Sequence, residues 1–167
     1  MSQSEFSEVI KASKARTWEV LFSQYGDIHL HNPGMIASNY LHNGTKGELN
    51  CVRHCQFNEK LCLDEKITEV DENNGFTVVV TKHNLPFIKS MSATYELSAI
   101  EGDAGAQMTK VKMTSNVEFS IGFMKYLMKG QLGKGLIQHL FGLKYYIETG
   151  KTVNSGNYAE VFKSYQG

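Results

Sequence analysis

SIGFMKYLMKGQLGKGLIQHLFGLKYYIETG, residues 120–150, decides the architecture of the chain. From Ser120 to Thr149 it contains no proline, and Gly150 stands where a helix C-terminus takes a left-handed residue. Ile121, Met124, Met128, Leu132, Leu136, Leu140, Leu143 and Ile147 recur with the spacing of one helical face. Such a helix spans roughly 45 Å at about 1.5 Å per residue. It carries glycine at 122, 130, 133, 135 and 142, and each costs about 1 kcal/mol relative to alanine in a helix interior. The helix should therefore either break near Gly130–Gly135 or use glycine where another segment comes close. Laid across a sheet with space between, it would roof a binding cavity.

Everything before this segment reads as short elements. Phe6 to Ala12 forms a first strand, and Ser13 caps a helix with apolar positions at Ala15, Trp18, Leu21, Phe22 and Tyr25. Gly26 ends that helix; a further helical turn at Asp27 to His31 is closed by Asn32-Pro33-Gly34. Strands follow at 35–41, 48–57, 61–70, 76–83, 91–100 and 108–119, separated by Asn- and Gly-containing turns. Sequential strands with short loops make an antiparallel meander, and only the C-terminal helix is long enough to cover it. The expected class is α+β: a curved sheet of six to seven strands around one long helix, with two short helices after the first strand. Residues 1–150 form one domain. In the tail, 151–167, Tyr158, Val161, Phe162 and Tyr165 follow helical spacing behind an Asn157/Glu160 capping pair.

Lysine plus arginine balance aspartate plus glutamate, so the formal net charge is zero and the pI is near 7.0. No global field favours nucleic acid or an anionic surface, and no apolar run reaches the length of a membrane span. Met1 to Phe6 lacks a signal-peptide pattern, which predicts a cytoplasmic protein. The three cysteines, Cys51, Cys55 and Cys62, are odd in number and suit no disulfide framework. On one strand face Cys51 and Cys55 would lie about 13 Å apart, too far for one zinc ion with sulfur ligands at about 2.3 Å. They read as small hydrophobes.

The loop Asn58-Glu59-Lys60 sets a register. If Phe57 faces Leu61, then Cys55 pairs with Leu63, Arg53 with Glu65 and Cys51 with Ile67, all on one largely apolar face. A charge there must be paired or solvated, because stranding it costs several kcal/mol. Arg53 and Glu65 read either as a polar handle for a ligand inside a pocket or as an ion pair at the sheet rim. The six histidines form no metal-ligand spacing, His29 and His31 diverging on a helix and His139 lying at the inward edge of the long one. There is no G-x-S-x-G, P-loop, dinucleotide fingerprint or H-E-x-x-H, so neither a catalytic residue, a metal nor a cofactor is assigned. Met91, Met113, Met124 and Met128 join aromatic residues on the inner faces, where flexible thioethers adapt to apolar ligands as readily as they fill a core.

With these elements in place the chain resembles the START-like, or SRPBCC, superfamily, which includes polyketide cyclase/dehydrase-like and birch-pollen-allergen-like proteins. The carriers are Val9-Ile10-Lys11-Ala12 leading into Trp18, His31-Asn32-Pro33, Val52-Arg53, Leu63 to Thr68 with Asp71, and Gly142-Leu143-Lys144-Tyr145-Tyr146-Ile147-Glu148-Thr149-Gly150. The resemblance implies a helix-grip fold with a deep cavity that takes a lipid, sterol, hormone or aromatic polyketide. It does not imply catalysis, since members include enzymes, carriers and receptors. The lysine and gate loops of hormone-sensing members are not matched here.

The expected function is binding or transport of an apolar small molecule between sheet and helix. Its lining would comprise Arg53, Leu63, Glu65 and Ile67 from the first hairpin, then Val78, Val80, Met91, Tyr95 and Met113 from later strands. Met128, Leu132, Leu136 and His139 would contribute from the helix. The alternative is a cyclase/dehydratase-type enzyme in which Arg53 with Glu65 or His139 polarises carbonyls and moves protons. A third reading is an adaptor that uses the tail helix as its contact. Oligomeric state is open, a homodimer included.

Overall fold

The computed structural model describes residues 2–165. Strand β1 (Ser2–Ile10) leads into α1 (Lys14–Trp18), which continues through a π-helical turn (Glu19–Ser23) and a 3-10 segment (Tyr25–Leu30). Ser13 caps α1 by accepting a hydrogen bond from the Arg16 amide. Strands β2 (Ala37–Tyr40), β3 (Val52–Gln56), β4 (Cys62–Asp71), β5 (Gly75–His83), β6 (Ile88–Glu101) and β7 (Gln107–Phe119) follow. All pairings are antiparallel, in the order β1-β7-β6-β5-β4-β3-β2. Register shifts in β4 and at the start of β6 accompany the curvature that wraps the sheet.

The β3–β4 register is the expected one, Arg53 opposite Glu65 and Cys55 opposite Leu63. Its local cause is Asn58, whose side-chain oxygen accepts from the Lys60 and Leu61 amides and closes the turn. The inward face carries an aromatic stack running from Trp18 through Phe22 and Phe76 to Tyr95, with successive ring centroids 4.2, 5.2 and 4.8 Å apart. This main core is joined by a second cluster of Ile28, Met35, Cys55 and Leu63 beneath the 3-10 segment.

The long helix, α2, runs Met124–Thr149 and ends at Gly150 with φ 71°. It starts later than expected and does not break at Gly130–Gly135. A Cβ built on Gly130 or Gly135 meets nothing within 4 Å, so these glycines serve no close approach. Close approach occurs further along the helix, at Gly142, two turns beyond Gly135, where a Cβ would stand 2.1 Å from the His31 carbonyl oxygen and 2.8 Å from Val153 Cγ1. Leu140 and Leu143 are buried, Met124, Met128, Leu132 and Leu136 half-buried, and Ile121 lies outside the helix on the surface. The apolar stripe thus meets a full core only over its second half, where α2 rests chiefly on β1.

The tail forms α3 (Tyr158–Ser164), which packs on the outer side of α2. Phe141 meets Phe162 at 4.9 Å and Tyr158 at 5.8 Å, and Tyr145 meets Tyr165 at 5.1 Å. Asn157 makes no side-chain cap on α3; its oxygen accepts from the Asn154 amide instead, so the expected capping box is not formed. Among the described residues no helix is long and apolar enough to cross a membrane.

Candidate functional site

A line of polar groups crosses the inner face of the sheet from β3 to α2. Arg53 is 3 % exposed; its Nε and Nη2 donate to Glu65 Oε2 at 2.9 and 2.6 Å, and its Nη1 donates to the Tyr25 carbonyl at 2.9 Å. The guanidinium carbon also lies 3.9 Å from the Tyr25 ring centroid. Burial opposes the Arg53 charge, but Tyr25 and Glu65 outweigh it and hold its pKa well above the ordinary value. Two strands apart from Glu65, the Tyr95 hydroxyl lies 3.1 Å from His139 Nε2 on α2.

His139 stacks in turn on His31, ring centroids 5.6 Å apart, and both rings are buried. Burial, with Arg53 adding like-charge repulsion, pushes His139 down to about 3. Burial first and then His139 and Arg53 push His31 well below its usual value, so both imidazoles are neutral at pH 7. Burial also raises the Tyr95 hydroxyl well above its ordinary pKa. Nδ1 of each histidine is buried without a hydrogen-bond partner, which leaves two polar atoms able to receive one from a guest. The cluster therefore offers neutral donors and acceptors beside one compensated ion pair.

Of the other residues expected to line the site, Ile67, Val78 and Met113 are buried in the main core with Tyr95. Leu63 and Val80 belong instead to the second cluster, covered by Ile28, Met35 and Leu85 rather than by α2. Met91, Met128, Leu132 and Leu136 are half-buried. Two surface depressions, of about 420 and 210 Å³, open along β4–β6 and β5–β7; Tyr95 borders the first, Met91 the second, and no α2 residue lines either. His31 was absent from the expected set. Its only signal is its place just before Asn32-Pro33, where the chain leaves the 3-10 segment and must turn inward. His29 diverges from it and bonds Ser38 at 2.7 Å. Burial raises the Cys55 thiol to about 12, which leaves it inert.

No family model and no curated protein matches the sequence. Solved structures do match. A Nitrosospira multiformis protein superposes with TM-score 0.68 at 12% identity, over 89% of this chain and 98% of its own. Ginseng major latex-like protein 151 from Panax ginseng gives 0.65 at 14% identity, over 87% and 96%. Protein XoxI from Bacillus cereus gives 0.64 at 14% identity, over 88% and 96%. The chain has the helix-grip fold. At these identities the likeness is one of fold.

Proposed function

We propose that the protein binds an apolar small molecule, of lipid, sterol or aromatic polyketide type, between the inner face of the sheet and α2. The observation that carries this reading is the pair of buried, unpartnered Nδ1 atoms of His31 and His139, on two stacked rings of which His139 meets the Tyr95 hydroxyl through Nε2. A neutral polar floor among aromatic and aliphatic side chains suits a largely apolar ligand with a single hydroxyl or carbonyl oxygen. The half-buried Met124, Met128, Leu132 and Leu136 on the sheet-facing side of α2 support it, because flexible side chains without full packing partners can part for a guest. Likeness to helix-grip structures supports the kind of function only.

Native mass spectrometry of the mildly purified protein, followed by titration with fatty acids, sterols and flavonoids, tests the proposal. Retention of one class, weakened by Tyr95→Phe or His139→Leu, is expected; no adduct from any class would end it. A cyclase/dehydratase reading draws on the same cluster, since a neutral imidazole at His139 could take a proton while Tyr95 keeps its own. Turnover of a poly-carbonyl substrate that Glu65→Gln abolishes would favour the enzyme over the carrier.

A further inference from the structure

One end of the sheet exposes apolar side chains that the ligand reading does not use. Ile88 pairs with Phe119, so the β5–β6 and β7–α2 loops leave the sheet side by side, joined by the Ser120 amide donating to the Phe87 carbonyl at 2.9 Å. From these loops and the first turns of α2, Phe87 (45 % exposed), Ile121 (42 %), Phe123 (60 %), Tyr126 (75 %) and Leu127 (68 %) face solvent. Phe123, Tyr126 and Leu127 share one helical side, at i, i+3 and i+4, away from the sheet-facing Met124 and Met128. Phe87 is held at φ 63°, a strained backbone for a bulky residue, with its ring in water. Exposure on this scale marks an interaction surface.

Charge says what the surface meets. The whole chain is neutral, yet no acidic residue occurs between Glu118 and Glu148, while Lys125, Lys129, Lys134 and Lys144 do. The first three are exposed, and among the described residues no carboxylate lies within ion-pair range of them. The flanking acids are engaged: Glu118 by Lys89 and Ser90, and Glu148 by the Lys11 amide, Lys144 and Tyr165. Glu59, on the neighbouring β3–β4 turn, has Lys60 beside it.

We propose that this end of the molecule docks on an anionic lipid bilayer, with Phe87, Ile121, Phe123 and Leu127 entering the headgroup region and Lys125, Lys129 and Lys134 meeting lipid phosphates. Single apolar side chains projecting from loop tips and a helix start enter a deformable surface, and lysines at their border keep their charges in the headgroups. Tyr126, with Lys125 Nζ 4.8 Å from its ring, has the amphipathic form that sits at such an interface. The proposal extends the ligand reading, since apolar cargo must leave and enter a lipid phase, but it is tested without any ligand.

The test is co-sedimentation of the full-length protein with vesicles of phosphatidylcholine, with and without phosphatidylglycerol. Binding to the anionic vesicles, weakened by salt, is expected. Phe123→Ser and Leu127→Ser should each weaken it by at least about tenfold, and Lys125→Gln with Lys129→Gln by about 25-fold, at about fivefold per lysine. All four side chains are exposed, and circular dichroism checks that the variants fold. Tyr95→Phe should keep vesicle binding while weakening ligand retention, which separates failure of this proposal from failure of the ligand reading. Absence of sedimentation, or equal sedimentation of all variants, overturns the docking surface. A concentration-dependent dimer abolished by Phe123→Ser, with no vesicle binding, overturns it in favour of a second copy.

Discussion

Replacing Arg53 and Glu65 singly and together tests the centre of the site. Arg53 uses Nε, Nη1 and Nη2, and its partner Glu65 retains 14 % side-chain exposure against 3 % for Arg53 itself. Removing one member of a buried pair costs about 3–5 kcal/mol, because the other is left uncompensated. Arg53→Met strands Glu65, which keeps contact with water, and the Tyr25 carbonyl, whose lost bond accounts for about 1–3 kcal/mol. Glu65→Leu strands a deeper guanidinium that cannot shed its charge, so it should be the costlier of the two. The double variant Arg53→Met, Glu65→Leu strands no charge and loses only the bond that Arg53 donates to the Tyr25 carbonyl. It should be more stable than either single variant, with a coupling of at least about 2 kcal/mol. Urea unfolding at pH 7, followed by far-ultraviolet circular dichroism, gives all four corners of the cycle. Additive losses, or Glu65→Leu milder than Arg53→Met, would refute the account.

Alanine at Gly130 or Gly135, where a Cβ meets open space, should each raise stability by about 1 kcal/mol; at Gly142 the same change should lower it by about 1–3 kcal/mol, all read from denaturation midpoints. Acidification should destabilise the fold through His139 and His31. Their folded pKa values lie below the unfolded value of about 6.5, so between them only the unfolded chain takes up protons, and stability falls as pH falls, by up to about 1.4 kcal/mol per unit for each histidine. His139→Gln should flatten that slope in melts at pH 7 and pH 5; an unchanged slope would exclude His139 as a source. Truncation after Ser155 removes α3 and uncovers Phe141, 7 % exposed in the intact protein, and should cost about 1.5–3 kcal/mol in thermal unfolding.

Local chemistry by itself determined the number of strands, the β3–β4 register and the end of the long helix, while the first strand, read at Phe6 to Ala12, lies earlier, at Ser2–Ile10. The Asn58 turn sets the β3–β4 pairing within a few residues, and alternation then assigns Arg53, Glu65, Cys55 and Leu63 to one face. Gly150 stops α2 because a left-handed residue is needed there. Periodicity names a face but not what covers it, and that the tertiary structure decided. Leu63 and Val80 face inward as expected yet lie under Ile28 and Met35, because the 3-10 segment reaches that part of the sheet and α2 does not. Glycine-rich α2 runs on unbroken through Gly130–Gly135, and what anchors it is packing over its second half, which propensity along the helix does not report. The meeting of His31 with His139 was not legible at all. It depends on Gly142 letting α2 settle against the His31 carbonyl, and no local pattern links positions so far apart along the chain.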